Sequence, residues 1–165
     1  MKNIILIFAV LLSACGWSPM YQSDDGRTQL EYSVRINPIS GTDGIELRNK
    51  LRVQLNPFGE PANPLYVLTV KFLPRQNILK GIQRTGDATW QEIRISVSFD
   101  LADAETGKKI LSGSDSVSES YTFVQNLVAA DSAAASATGS ALRILSEKVG
   151  ARVKVFIQSR EAAAE

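Results

Sequence analysis

The stretch IRISVSFDL, residues 93–101, alternates between apolar and polar side chains over its whole length. Successive side chains of a β-strand point to opposite faces, so this alternation gathers the apolar residues on one face and the polar residues on the other. Strands with this pattern pack one face on a core and leave the other in contact with water. The stretch therefore predicts a half-buried strand, around which the remaining elements can be placed.

Three other segments show the same period of two and are predicted as strands: residues 30–36, 65–73 and 109–121. Residues 103–108, which contain Thr106-Gly107, predict a tight reversal between the central stretch and the last strand. In that last strand, alternate serines fall on one face, which we expect to contact water or a polar wall. These serines are Ser112, Ser114, Ser116, Ser118 and Ser120.

Apolar residues at helical spacing predict two helices, over residues 44–56 and 131–158. Asp43, with Glu46 three positions later, is close to a capping box at the start of the first helix. The second helix begins with an alanine-rich segment, for which the alternative is a close approach of two backbones. The apolar stripes consist of Leu47, Leu51 and Leu55 in the first helix and of Leu142, Leu145, Val149, Val153, Phe156 and Ile157 in the second.

The predicted order of elements is β-α-β-β-β-α. The helix between the first two strands lets them lie parallel, whereas the short links after the second strand favour antiparallel neighbours. Because every predicted strand has one apolar face, both helices should cover the same side of the sheet. The sequence predicts an α+β fold, a two-layer sandwich with a four-stranded mixed sheet, in a single domain over residues 30–160. Residues 161–165 are predicted to form a frayed tail.

The N-terminus resembles an export signal, with one positive charge followed by a short apolar run. Leu12-Ser13-Ala14-Cys15 looks like a bacterial lipobox, in which the cysteine is acylated and becomes the first residue after cleavage. Cys15 is the only cysteine, so a disulfide within the chain is excluded. We expect a lipoprotein signal peptide over residues 1–14 and a lipidated tether over residues 15–29. The alternative is an ordinary signal peptide that ends near a cysteine.

The composition argues against an enzyme. The chain contains no histidine, which removes the usual general base and the commonest metal ligand. It has no glycine-rich phosphate loop and no cysteines at metal-binding spacing. The 18 Lys and Arg nearly balance the 17 Asp and Glu, so the overall charge does not favour nucleic acid as a partner. We expect no catalytic residue, no cofactor and no metal, and a function in binding or assembly.

The N-terminal sequence, the element order and two local features together resemble the LptE family, the lipopolysaccharide-assembly lipoproteins of the outer membrane. The lipobox leads into CGWSPMY, residues 15–21, the predicted hairpin turn contains ETG, residues 105–107, and the terminal helix is alanine-rich. The family often begins Cys-Gly-Phe with a later Pro-Leu-Tyr, from which Trp17 and Met20 depart. The order of elements matches over nearly the whole mature chain, whereas residue-level similarity is confined to short stretches.

The resemblance implies specific partners. LptE-like proteins lie as a plug inside the large β-barrel LptD, assist its assembly and contact lipopolysaccharide on its way to the outer leaflet. It also implies an outer-membrane location, with palmitate-type acyl chains on Cys15 and the domain on the periplasmic side, within the barrel lumen. A barrel lumen is polar, which suits the polar faces of the predicted strands. The alternatives are a periplasmic lipid carrier, which would need an apolar cavity, or another non-catalytic envelope-assembly lipoprotein.

A long connection between the second and third predicted strands is the candidate ligand-contact segment. About twenty residues separate Phe72 from Ile93, whereas such connections have medians of about 4–6, and TGD at residues 85–87 predicts the tip of a hairpin arm. Basic side chains beside apolar ones suit a phosphorylated lipid, because cations bind phosphate while apolar groups meet acyl chains. The alternative is a solvated extension of the strands. The candidate lipopolysaccharide contacts are Arg75, Lys80 and Arg84 on the arm, with Lys71 and Arg94 beside it.

Overall fold

The computed structural model describes residues 33–82, 88–122 and 126–163. These residues form β1 (Val34–Ile36), α1 (Thr42–Leu55), β2 (Tyr66–Phe72), β3 (Gln76–Ile82), β4 (Ala88–Asp103), β5 (Lys109–Thr122) and α2 (Leu127–Ala162). The predictions for residues 1–29, including the lipidation of Cys15, lie outside the described residues. The candidate contact Arg84 and the predicted arm tip at residues 85–87 lie outside them as well.

β4 is the central strand of one mixed sheet. β5 pairs antiparallel with one edge of β4 along nearly its whole length. The other edge of β4 pairs with β3 at residues 88–94 and with β2 at residues 97–103, in both cases antiparallel. β2 and β3 therefore lie end to end along the same edge, and β1 pairs parallel with β2 at the margin of the sheet.

The predicted α+β sandwich and the order of its elements are confirmed, but the sheet has five strands rather than four. Pro74 lies in the break between β2 and β3, where it has no N–H to donate to a ladder. The first half of the predicted arm therefore forms a strand of its own, β3, paired with the start of β4. β2 therefore corresponds to the second predicted strand, over residues 65–73, and β3 is the additional strand.

The apolar residues of the central stretch lie in the core, as predicted. Both helices pack on this face through their predicted stripes, so they cover the same side of the sheet. The other face carries the even-numbered side chains of β4 and β5, and we name it the open face. The core contains Ile93, Ile95, Val97, Phe99 and Leu101 of β4, Leu47, Leu51 and Leu55 of α1, and Leu142, Leu145, Val149, Val153 and Ile157 of α2, with Phe156 partly buried beside them.

α1 begins at Thr42, after Gly41, whose φ of 85° lies in the left-handed region that favours glycine. No side chain caps this end of the helix. The predicted capping role of Asp43 is therefore wrong. Asp43 lies inside the first turn, where its carboxylate pairs with Arg75 at 3.6 Å and still interacts favourably with the helix dipole.

α2 extends beyond the predicted residues 131–158 at both ends, because it runs from Leu127 to Ala162. The side chain of Asn126 accepts hydrogen bonds from two N–H groups of the first turn, at 3.0 and 3.3 Å, and so caps the helix at an earlier residue. The alanine-rich start is regular helix, and residues 161–162, assigned above to the tail, are helical. Within the described ranges, neither helix combines the length and the apolar character needed to cross a bilayer.

Candidate functional site

The centre of the open face is lined by serine hydroxyls. In the ladder between β4 and β5, Ser96 lies opposite Ser116 and Ser98 lies opposite Ser114. Because serine side chains are short, this part of the face offers hydroxyl donors and acceptors close to the backbone. The serines of β5 that the sequence places on one face do share it and are exposed: Ser112, Ser114, Ser116, Ser118 and Ser120.

Glu92, Lys80, Arg94 and Ser118 form a connected group on the open face, which we name the Glu92 cluster. Lys80 Nζ lies 3.1 Å from one carboxylate oxygen of Glu92, and Arg94 Nη2 lies 3.2 Å from the other. Arg94 Nε also donates a hydrogen bond to Ser118 Oγ at 2.9 Å. Two of the candidate contacts, from different strands, are thus held together by one carboxylate.

Glu92 is the most enclosed charged member of the cluster, with a side chain 12% exposed against 49% for Lys80 and 43% for Arg94. The hydrogen bond from the Lys80 ammonium holds the pKa of Glu92 below its ordinary value, while burial acts in the opposite direction. Two cations share this one carboxylate, so the cluster carries a net positive charge. Its exposed donors can bind an anion such as a phosphate, in competition with Glu92.

Trp90 stands beside the Glu92 cluster. It lies two residues before Glu92 on β4, hence on the same face, and it is 55% exposed. Ile78, directly opposite Glu92 on β3, is half-buried on this face. Gln91 points to the helix-covered side, where it accepts a hydrogen bond from the Tyr121 hydroxyl at 2.6 Å. The open face therefore presents an aromatic ring and an aliphatic side chain next to two cations.

Lys71 lies on the open face but apart from the Glu92 cluster. It is opposite Ser98 on β4, and Ser98 is four residues from Arg94, which corresponds to about 13 Å along a strand. Lys71 contributes to the lowered pKa of Asp100, whose main cause is a hydrogen bond from Lys109 at 2.8 Å. Lys71 is therefore a second, separate cation on the same surface.

Arg75 lies on the helix-covered side of the sheet. Its guanidinium donates to Thr138 of α2 at 2.8 Å and pairs with Asp43 of α1 at 3.6 Å, so it links the two helices. It lines a cleft of about 360 Å³ between the N-terminal parts of α1 and α2, together with the acidic residues Asp43, Glu46 and Asp131. The structure therefore separates Arg75 from the other described arm candidates.

Two members of the cluster, Glu92 and Ser118, were not among the sequence-based candidates. The signal for Glu92 is present, because the period of two that places Arg94 on the polar face continues back to Glu92. The pairing of β3 with β4 could not be predicted from the sequence, because its register shifts on both sides of Gly81. That register brings Lys80 next to the carboxylate.

The fold is shared with solved bacterial proteins. The chain is similar to a candidate lipoprotein from Caulobacter crescentus CB15, with 22% identity and a TM-score of 0.67 over 82% of this chain and 98% of that one. It is similar to rare lipoprotein B from Shewanella oneidensis, with 16% identity and a TM-score of 0.55 over 79% and 97% of the two chains. It is also similar to a minor lipoprotein from Acinetobacter baumannii, with 14% identity and a TM-score of 0.56 over 75% of this chain and 92% of that one. No protein-family model and no curated protein matches the chain. The architecture is therefore one that bacterial lipoproteins adopt.

Proposed function

We propose that the chain is a lipoprotein of the outer membrane that acts as a plug and assembly chaperone for an LptD-type β-barrel. Lipid on Cys15 anchors it on the periplasmic side. The observation that carries the proposal is the open face, a polar sheet surface opposite a face covered by two helices. The fold shared with bacterial lipoproteins supports the anchor, and the sequence resemblance to LptE proteins supports the partner.

The open face suits the inside of a barrel. A barrel lumen is polar, and the opposed serines of β4 and β5 offer hydroxyls that can pair with polar side chains at short range. Several charges on this face are paired within it: Lys109 lies 2.8 Å from Asp100, and Lys80 and Arg94 both pair with Glu92. Paired charges lose less solvation energy than isolated ones when a partner excludes water.

We assign lipopolysaccharide contact to Lys80 and Arg94, with Trp90 beside them. The two cations can donate to phosphate, and the indole ring supplies apolar surface for the sugar or acyl part of the lipid. Lys71 is a further candidate on the same face. Arg75 is engaged with both helices on the other side, and Arg84 keeps its support from the sequence alone.

A periplasmic lipid carrier has less support. Such a carrier needs an apolar cavity for acyl chains, whereas the lining of the cleft between the helices includes the charged side chains of Asp43, Glu46, Asp131 and Arg75 beside apolar ones such as Ile93. We also propose that the protein is non-catalytic. The chain contains no histidine, and the pKa of Glu92 lies below its ordinary value, which is away from the range of a general acid.

Purification of the full acylated chain from outer membranes in mild detergent tests the partner. We expect a large outer-membrane β-barrel protein to accompany the chain, and we expect depletion of the chain to leave that barrel misassembled. Recovery of the chain without a barrel, or normal barrel assembly after depletion, would contradict the proposal.

Binding of purified lipopolysaccharide tests the ligand contact separately. The double variant Lys80→Gln/Arg94→Gln removes both cations, and we expect its binding to be about tenfold weaker while its association with the barrel is unchanged. The matched control Lys50→Gln/Arg143→Gln removes two cations that pair within the helices and should bind like the wild type. Equal binding by the two double variants would show that Lys80 and Arg94 do not contact lipopolysaccharide.

A further inference from the structure

Among the residues that the structure describes, no strand pairs with the outer edge of β5, the edge that faces away from β4. The N–H of Leu73 donates to Ser96 O at 2.9 Å, so the backbone groups of Ser96 point to the edge of β4 that carries β2. When two residues lie directly opposite in an antiparallel pair, their backbone N–H and C=O groups either all point towards the other strand or all point away from it. Ser116, opposite Ser96, therefore directs its N–H and C=O outward. The same holds for Ser114 and Ser118, the even-numbered residues on either side of it on β5.

Two of these outward carbonyls are covered by cations from α2. Lys148 Nζ donates to Ser116 O at 3.1 Å, and Arg152 Nη1 donates to Ser114 O at 3.1 Å. Arg152 Nη1 also lies 2.9 Å from the carboxylate of Asp115. Two neighbouring acceptors at the middle of the β5 edge are thus occupied by side chains of the same protein.

Arg152 is held in place from several sides. Its guanidinium lies over the ring of Phe99, 5.0 Å from the ring centre. Gly113 gives it the room to do so, because a Cβ atom at this position would lie 2.8 Å from Arg152 Nη2. These contacts hold the Arg152 side chain against the edge of the sheet, so it does not extend freely into solvent.

An uncovered β5 edge would match a second copy of itself. β5 has 14 residues, well above the usual strand length of about 5–6, and free edges of this kind pair with other strands. In a two-fold antiparallel pairing with Ser116 opposite Ser116, Ser114 lies opposite Ser118. Asp115 then lies opposite Val117, so no two charges of the same sign face each other on this part of the strand. The carbonyls that Lys148 and Arg152 occupy lie at the centre of this pairing.

We propose that Lys148 and Arg152 close the outer edge of β5 against pairing with a second copy of this chain. Each cation takes an acceptor that the second strand would need, and each adds a charged group at the edge, as other edge strands do. The inference concerns the free chain and stands independently of any barrel partner.

The test removes both donors while keeping long, helix-compatible side chains, in the variant Lys148→Met/Arg152→Met of the full acylated chain in detergent. We expect light scattering to show a protein mass that doubles with concentration. We also expect exchange of the amide protons of Ser114, Ser116 and Ser118 to slow by about tenfold at high concentration. The control Arg143→Met/Arg160→Met removes the same charge from α2 and should stay monomeric. A monomeric double variant with unchanged edge exchange overturns the proposal.

Two further variants keep the test decisive. If loss of Arg152 prevents folding, Lys148→Met alone carries the test, and it should show the same slowing of exchange at Ser116 with a smaller shift in mass. Unchanged exchange in Lys148→Met would then overturn the proposal. Adding Ser116→Pro to the double variant removes the N–H at the centre of the pairing and should restore the monomer. A dimer that persists in this variant would show that it forms elsewhere.

Discussion

The proximal and distal halves of the sheet differ in what covers them. In the proximal half, where β1 and β2 lie beside residues 97–103 of β4, apolar side chains such as Leu68 are 0% exposed. In the distal half, where β3 lies beside residues 88–94, Leu79 and Trp90 are 63% and 55% exposed. β2 contributes Leu68 and Val70 to the buried core, and β4 extends that core to Ile93 in the distal half, whereas Leu79 and Lys80 of β3 project outward. The two halves therefore differ mainly in the strand that lies beside β4.

The largest expected effect separates the two halves by stability. Leu68→Ala removes a fully buried side chain of the proximal half and should lower the free energy of unfolding by about 2–5 kcal/mol. Leu79→Ala makes the same change on an exposed side chain of the distal half and should cost less than about 0.5 kcal/mol. Urea denaturation of both variants measures the difference. Similar losses would show that Leu79 is packed as tightly as Leu68.

A smaller loss of stability is expected when a side chain is added at Gly113, in the proximal half. In Gly113→Ala the new Cβ atom would lie 2.7 Å from Phe99 Cζ, and Phe99 is only 2% exposed, so its ring has little room to move. We expect the variant to lose about 1–3 kcal/mol of stability. Ser114→Ala, at the next position on the exposed face, serves as the control and should change stability by less than about 0.5 kcal/mol. Equal thermal stability of the two variants would show that Phe99 and Arg152 leave room for a side chain at position 113.

In the distal half, the prediction concerns binding rather than stability. In the proposed contact, Glu92→Gln would remove the carboxylate that competes with a lipid phosphate for Lys80 and Arg94. We therefore expect severalfold tighter binding of lipopolysaccharide, which is opposite in sign to the effect of removing the cations. Titration of lipopolysaccharide against wild type and variant measures it. Weaker binding by the variant would show that Glu92 acts mainly by positioning the cations.

The smallest expected effect is a pH dependence from Glu92. Its pKa in the folded chain lies below the ordinary value of 4.5, chiefly because of the hydrogen bond from Lys80. A lowered folded pKa stabilises the protein above the ordinary value, and this contribution is lost as the pH falls through the folded value. The urea midpoint of the wild type should therefore exceed that of Glu92→Gln at neutral pH and approach it as the pH falls below 4.5. A difference that is constant across this range would contradict the assigned pairing.

The proximal half was predictable because its patterns are local. The period of two in residues 93–101 and the helical stripes each identify one buried face, and burial of those faces forces both helices onto the same side of the sheet. The start of α2 was not predicted, because this reasoning depends on a local apolar pattern. Its first residues, Leu127 and Val128, are 80% and 79% exposed, so no apolar stripe marks them, and the helix begins through its Asn126 cap.

The distal half was only partly predictable because its arrangement depends on contacts between strands. The residue types indicated cations beside apolar groups, and the length of the connection indicated an arm. Grouping of Lys80 with Arg94 depends on the shifted register of β3 against β4. The placement of Arg75 on the other face depends on its contacts with two helices far apart in sequence. Periodicity within one segment carries neither kind of information.

Crosslinking in intact cells tests the central claim most directly. A photo-reactive amino acid at Ser114, an exposed position of the open face, is compared with one at Val155, which is 64% exposed on α2. If the open face lies against the lumen of an LptD-type barrel, Ser114 gives a strong crosslink to that barrel protein, identified by mass spectrometry. Crosslinks to a barrel from Val155 but not from Ser114, or to no barrel from either position, would contradict the account.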